Sequence, residues 1–256
     1  MTFSTLTFNM QNGQPWDEAE PDNTRVDLEG TCDFLRSQDA DVVFLQEVER
    51  GFEGGRQIEP PPHYNFLRAN LRGYDSAFSY PVPNATEIPF GLGLAIFSKT
   101  KLRDFQKTDL PAADIEFEYG GHPRAPSQRL LIAASTVLLG RQVRLLNTHL
   151  QAFFMIGASS AEHPAQRDIV EAVLREQQGA AILAGDLNSA PGEGILEQFA
   201  AAGFRTVQNE EATWRRMPFV LDHLFYNSFL RVVGHAVIPT FCSDHHAVRT
   251  EFAFAS

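Results

Sequence analysis

The chain opens on an alternation. In residues 2–9, TFSTLTFN, Phe3, Thr5 and Thr7 stand opposite Ser4, Leu6 and Phe8, a two-residue period in strand-forming residues. An Asn12–Gly13 turn follows, then a polar loop with Pro15 and Pro21. Leu28, Cys32 and Leu35 share one helical face, with Asn23 or Thr24 as the expected cap. DVVFLQEV (41–48) and LGLAIFSK (92–99) are unbroken apolar runs and predict buried strands. The Gly- and Pro-rich stretch 51–65 is expected to be loop, and 104–128 is mixed, broken by Pro111, Pro123 and Pro126. RLLIAASTVLL (129–139), Gly140 and RQVRLLNTHL (141–150) predict a hairpin of two long strands. Ile169, Val170, Val173 and Leu174 place a helix between Glu162 and Gln177, with Gly179 as its stop. AAILAGDLN (180–188) predicts a strand ending in a polar turn, and GEGILEQFAAAG (192–203) a short helix closed by Gly203. Three further strands are expected at 219–227, 230–238 and 246–254. No repeat or linker divides the chain, so hairpins mixed with strand–helix–strand units predict a single α/β or α+β domain over residues 1–256, with helices on the outside.

The polar residues that interrupt this pattern fall at strand ends. Asn9 ends the first strand, Gln46 and Glu47 the second, Asn147 and His149 the NTHL strand, and Asp186 and Asn188 the AILAGDLN strand. Asp222 lies within an otherwise apolar strand, and Asp244 and His245 open the last one. Each has a bland explanation as a turn residue, a solvated end or a hydrogen-bonded core histidine. Six such ends together point to one crevice beyond the strands, where ligands of α/β sheets bind. Asp222 amid FVL and LFY costs roughly 1–3 kcal/mol unless partnered, and an imidazole from His245 or His246 is the obvious partner.

Composition narrows the chemistry. With 43% hydrophobic and 21% charged residues the chain is an ordinary globular protein, long enough to bury a core without staples. Its 21 phenylalanines, against 5 tyrosines and 2 tryptophans, predict a Phe-rich interior. The net charge of −11 repels nucleic acid on average. A nucleic-acid partner is therefore not favoured without a local basic patch, and metal-assisted chemistry is favoured over a Lys/Arg grip on a polyanion. Cys32 and Cys242 have no CxxC spacing, the N-terminus has no basic start or long apolar run, and no stretch reaches the length of a membrane span. Free thiols, no transmembrane segment and a cytoplasmic location are expected. Oligomeric state is not legible in the pattern.

Seven motifs taken in order carry a family resemblance: N-M-Q-N-G, L-Q-E-V, G-L-A-I-F-S-K, N-T-H-L, G-D-L-N-S-A-P, L-D-H-L-F-Y and S-D-H-H-A-V. The set resembles the endonuclease/exonuclease/phosphatase superfamily, which includes DNase I-like nucleases, inositol polyphosphate 5-phosphatases, neutral sphingomyelinases and tyrosyl-DNA phosphodiesterases. The resemblance implies a four-layer α/β/β/α sandwich, two packed mixed β-sheets flanked by helices. It also implies a metal site at Glu47 and Asp244 helped by Asn9, with Mg²⁺ or Mn²⁺ as the cofactor. Asp186 and Asn188 match the pair that positions the attacking water and the phosphate. His245 matches the general base or phosphate ligand, Asp222 the carboxylate that orients it, and His149 a second imidazole. Asn147, Asn188 and Arg129 are expected to contact substrate.

That chemistry suits the residue types. Carboxylate oxygens are hard ligands for Mg²⁺ or Mn²⁺, which offset phosphoryl charge. An imidazole backed by a carboxylate takes or holds a proton near neutrality. Either Asp186 or His245 can serve as base, with one metal or two. The expected activity is hydrolysis of a phosphodiester or phosphomonoester, with a small phosphodiester or lipid headgroup as the expected substrate, a DNA or RNA nuclease as the alternative and a non-catalytic binding module as a further one. Residues 151–157, QAFFMIG, form either an apolar rim or, the favoured reading, buried core.

Overall fold

The computed structural model describes residues 1–21, 24–85 and 90–255. In chain order its strands are β1 (Phe3–Asn9), β2 (Val42–Gln46), β3 (Glu49–Arg50), β4 (Asp75–Ser79), β5 (Gly91–Leu92), β6 (Leu94–Ser98), β7 (Arg103–Leu110) and β8 (Phe117–Tyr119). There follow β9 (His122–Arg124), β10 (Arg129–Leu138), β11 (Arg141–His149), β12 (Ala181–Asp186), β13 (Phe204–Thr206), β14 (Asp222–Asn227), β15 (Leu230–Ile238) and β16 (Ala247–Phe254). The α-helices are α1 (Leu28–Gln38), α2 (Pro62–Asn70), α3 (Ala165–Arg175) and α4 (Ile195–Ala201).

Two six-stranded mixed sheets result, ordered β15-β16-β1-β2-β6-β4 and β13-β14-β12-β11-β10-β7. The central strands β1, β2, β6 and β12 are buried along their whole length and are therefore covered on both faces, whereas the edge strands β7 and β15 are largely exposed. Phe3, Phe44, Ile96, Ile132, Leu145, Ile182 and Phe252 fill the space between the sheets. Leu6, Phe8, Leu45 and Phe97 face the opposite way, onto Cys32 and Leu35 of α1 and Leu67 of α2. On the second sheet Leu131, Leu146, Leu183 and Phe225 meet Val170 and Leu174 of α3 and Phe199 of α4. Three apolar layers thus hold four layers of secondary structure, the sandwich expected. Each fully buried Phe or Leu contributes about 1.5–3 kcal/mol, and eight phenylalanines are among the largest fully buried side chains.

Several boundaries differ from the pattern. Helix α1 is capped by Asp27, whose carboxylate accepts from Gly30 N at 2.8 Å, not by Thr24; Asn23 lies outside the described residues. The stretch expected to be loop to residue 65 becomes helical at Pro62, because proline suits the first helical turn. Helix α3 starts at Ala165, after Pro164, and ends at Arg175, ahead of Gly179. Strand β7 is an edge strand with mostly exposed polar side chains, and so leaves no apolar signature. Both cysteines are free thiols. Among the described residues no helix is long and apolar enough to cross a membrane.

Candidate active site

The two-residue period of the strands builds the site. On the face between the sheets, β1 presents Phe3, Thr5, Thr7 and Asn9; β11 presents Val143, Leu145, Asn147 and His149; β12 presents Ile182, Ala184 and Asp186. Strand β14 runs the other way and presents Tyr226, Leu224 and Asp222. Every row turns from apolar to polar at the same end. Register then sets the polar ends abreast: His149 pairs with Asp186 across parallel strands, and Asp186 with Asp222 across antiparallel ones. The first sheet brings Asn9, paired with Gln46, and Glu47 immediately after it.

Asn9 ties the two halves together. Its Nδ2 donates to Glu47 Oε1 at 3.1 Å and to Asp186 Oδ2 at 2.9 Å, while its Oδ1 accepts from Gln11 N at 3.0 Å. Burial, then the Asp244 charge, push the Glu47 carboxyl up to about 7. Burial, then the Asp222 charge, raise Asp186 to about 6. Glu47 is the most open of the group, its side chain 18% exposed against 1% for Asp186 and none for Asp222. It sits in the left-handed region with φ 50°, as do Gln11, Asn12 and Asn188, four of the seven non-glycine residues so placed among those described. Such backbone costs on the order of 1–3 kcal/mol per residue and persists where surrounding bonds over-determine it. Asn12 N, for instance, donates to Glu47 O at 2.7 Å.

Asp222 opens β14, and Asp244 and His245 precede β16 in a loop instead of starting it. His245 Nδ1 lies 2.7 Å from Asp222 Oδ2, and its Nε2 lies 3.7 Å from Asp186 Oδ2 and 3.9 Å from Asp244 Oδ1. Burial opposes a charge on this ring, but the carboxylates of Asp222, Asp186 and Asp244 outweigh it and push His245 up to about 10. The ring is therefore an imidazolium at neutral pH, with Nδ1–H donating to Asp222. His246 turns away, its Nδ1 accepting from Thr240 N at 3.4 Å.

His149 lies between Arg129 Nη1, 3.3 Å from its Nδ1, and Asn188 Nδ2, 2.8 Å from its Nε2. Burial, then the Arg129 charge, hold it well below the usual imidazole range, so it is neutral. A neutral ring accepts at one nitrogen only, so one of these two contacts is a close approach and not a hydrogen bond. Asn188 Nδ2 also donates to Leu150 O at 3.0 Å, and its N donates to Asp186 Oδ1 at 2.9 Å.

Asn9, Glu47, His149, Asp186, Asn188, Asp222, Asp244, His245 and Arg129 are thus joined by contacts into one cluster. Asn147 takes a place different from the one expected. Asn147 is fully buried, and its amide is bound to Leu45 O, Ala95 O and Gln46, which leaves it no hydrogen to offer a substrate. Asn9 turns its NH₂ toward the carboxylates and bridges Glu47 and Asp186. Residues 151–157 divide: Phe153 is buried, Phe154 packs on Trp214 and Phe219, and Met155 is 54% exposed.

Other participants carry no signal in the sequence. Arg216 Nε and Trp214 Nε1 both donate to Asp244 Oδ2, at 2.9 and 3.2 Å, and leave Oδ1 to face the floor. Thr213 Oγ1 accepts from the backbone N–H of Leu221 and Asp222, both at 3.0 Å, and so fixes the start of β14. Ser243 Oγ donates to Asn9 O and accepts from His245 N. Gly91 is needed because a Cβ there would stand 2.1 Å from Glu47 Oε2.

The set suits a hard divalent cation. Its donors are oxygens and imidazole, Gly91 keeps a side chain out of the Glu47 cradle, and Asp222 Oδ1 is buried without a partner. Asp186, Asp222 and His245 form the tightest group, with ligand atoms within 4.8 Å of one another. Asp222 Oδ2 is already committed to His245, however, and Mg²⁺ keeps several waters. Glu47, the most open carboxylate, and Asp244 Oδ1, 3.4 Å from Ser243 Oγ, offer further oxygens at the same floor.

The sequence matches the model of the endonuclease/exonuclease/phosphatase family over residues 6–245. The chain belongs to that family. No curated protein matches it. Among solved structures it is similar to a family protein from Beutenbergia cavernae, with 19% identity and TM-score 0.71, covering 100% of this chain and 72% of that one. It is also similar to the human Nocturnin catalytic domain with bound sulfate, with 20% identity and TM-score 0.68 over 99% and 95% of the two chains. D. rerio TDP2 complexed with a single-strand DNA product gives 18% identity and TM-score 0.65 over 98% and 99%. At these identities the likeness is one of fold, and the family members share the two packed mixed sheets found here.

Proposed function

We propose that the protein is a divalent-metal-dependent hydrolase of phosphodiester bonds, using Mg²⁺ or Mn²⁺, with a small phosphodiester or lipid headgroup as substrate. Hydrolysis of phosphoesters is the chemistry that membership of a family of nucleases and phosphatases supports. The observation that carries the reading is the bridge from Asn9 to both Glu47 and Asp186, which joins carboxylates of the two sheets beside two imidazoles, one held neutral and one favoured as the cation.

Glu47 and Asp244 would hold the cation, which supplies charge neutralisation at the phosphoryl oxygens and at the leaving oxygen. Asp186 takes the proton of the attacking water. Its carboxyl is raised toward neutrality, the range in which a general base works best. His245, kept protonated by Asp222, donates from Nε2 to a phosphoryl oxygen. Neutral His149 and the Asn188 amide border the phosphate on the side of the second sheet.

A nucleic-acid substrate is the second reading. It is favoured by the aromatic and arginine side chains beside the floor, where Arg216 covers Trp16 and Arg215 covers the 65% exposed Phe241. Release of p-nitrophenol from bis-p-nitrophenyl phosphate, abolished by EDTA and restored by Mg²⁺ or Mn²⁺, tests the hydrolase. Absence of turnover on this ester, sphingomyelin, inositol phosphates, plasmid and single-stranded DNA would leave a binding module. Asp186→Asn separates the bases: it is expected to abolish turnover while His245→Gln retains a residue of it.

A further inference from the structure

Between the apolar centre of the sandwich and the polar floor lies a buried layer that touches no reacting group. Thr7, Gln46 and Asn147 are all fully buried there. Gln46 Nε2 donates to Asn147 Oδ1 at 2.7 Å, and the Gln46 amide meets Thr7 Oγ1 at 3.2 and 3.4 Å. Asn147 Nδ2 spends its two protons on Leu45 O and Ala95 O, both at 2.9 Å. Leu45 and Ala95 form the last pair between β2 and β6. Just beyond them the two strands leave regular extended geometry, at Glu47 with φ 50° and at Gly93 with φ 83°. A side chain of the second sheet therefore completes the open end of a ladder in the first.

We propose that Asn147, with Gln46, is a positioning residue that sets the spacing between the two halves of the site. The inference rests on the hydrolase reading for its link to catalysis, and on this geometry for the clamp itself. Asn147 stands two residues before His149, which is paired with Asp186; its acceptor Leu45 stands two residues before Glu47. One amide thus fixes the short chain segments that carry the ligand and the base. An apolar side chain here would leave Leu45 O and Ala95 O buried without donors, whereas Leu145, the preceding residue of the same row, needs no such bonds. Two sheets packed through apolar side chains alone are aligned by shape only. Directional bonds add the registration that a site tolerant of about 0.5 Å requires. The spacing so held is visible in the 3.8 Å between Glu47 Oε1 and His149 Nε2, and in the Asn9 bridge from one sheet to the other.

Gln46→Met keeps volume but removes the donor at 2.7 Å that orients the Asn147 amide between the sheets, and Asn147→Leu removes its bonds to Leu45 O and Ala95 O, so both variants break the clamp. In each, Mn²⁺ affinity is measured by electron paramagnetic resonance, kcat and KM on bis-p-nitrophenyl phosphate, melting temperature, and the ring resonances of His149 and His245 by NMR. The clamp predicts that Mn²⁺ affinity and kcat both fall by about 10- to 100-fold, with KM within about twofold and shifted His149 resonances. A lowered melting temperature with unchanged kcat, Mn²⁺ affinity and ring resonances would show a purely structural role and overturn the proposal. A rise in KM alone would make Asn147 a substrate contact and overturn it as well. Should Asn147→Leu fail to fold, Gln46→Met decides by the same readings. If the wild type neither binds Mn²⁺ nor turns over, the hydrolase reading fails by itself; the ring resonances of Gln46→Met then decide the clamp, unchanged resonances overturning it.

Discussion

Gly91→Ala is the sharpest perturbation, because it adds one carbon beside the residue most open to a cation. An ideal Cβ at position 91 stands 2.1 Å from Glu47 Oε2, 2.6 Å from its Cβ and 2.8 Å from its Cδ, where real contacts stay beyond 3.0 Å. Gly91 does not occupy the left-handed region, so alanine brings no backbone strain and the whole effect falls on the contact. Glu47 must retreat by about 0.9 Å, the difference between 3.0 and 2.1 Å. Overpacking of this kind costs about 1–3 kcal/mol of stability. A misplacement near 1 Å costs about 100-fold in turnover. Expected, then, is a folded protein whose kcat on bis-p-nitrophenyl phosphate falls about 100-fold and whose Mn²⁺ affinity weakens. Gly179→Ala is the control: nothing lies within 4 Å of its Cβ position, and its φ is ordinary. If Gly91→Ala turned over and bound Mn²⁺ as well as Gly179→Ala does, Glu47 would not be the metal ligand.

Asp222→Asn removes the charge nearest His245. A raised histidine contributes stability that is complete below its unfolded value near 6.5 and is lost as pH rises through about 10. Calorimetry of the metal-free protein should show the melting temperature falling between pH 7 and 10, and the variant should flatten that slope. Arg216→Gln deletes a cation bound to Asp244 Oδ2 at 2.9 Å. Divalent-cation affinity should tighten, by on the order of 1 kcal/mol, while kcat falls; weaker binding in a titration would refute the assignment of Asp244. Glu193→Gln disturbs a buried carboxylate that accepts from Ser160 N, Ser160 Oγ, Ser189 Oγ and Ala190 N. Burial pushes Glu193 up, but these bonds outweigh it and hold it below the usual carboxylate range. Its contribution is therefore present above pH 4.5 and lost on acidification. The variant should lose about 2 kcal/mol in urea unfolding at pH 7, and the difference from wild type should shrink toward pH 3.

Much of this site can be read from the chain because strand periodicity and chemistry coincide. In β11 the sequence Val143, Leu145, Asn147, His149 shows a row passing from core to polar end, and β12 shows the same in Ile182, Ala184, Asp186. A buried strand end has one place to put a polar side chain, so such rows converge wherever two sheets pack. What periodicity does not separate is the depth of each polar residue. Asn147 and His149 lie in one row, two residues apart, yet the first closes a β-ladder and the second meets the polar floor. That distinction depends on where the opposing strands β2 and β6 stop pairing, a fact of the other sheet with no trace in β11. Arg216 and Trp214 escape for a related reason. They lie in irregular chain with no period, and only the loop carrying Asp244, 28 residues after Arg216, gives them meaning. Local pattern therefore reveals what a strand must bury, and long-range register decides which of those buried polar groups reaches the floor between the sheets and which stays beneath it.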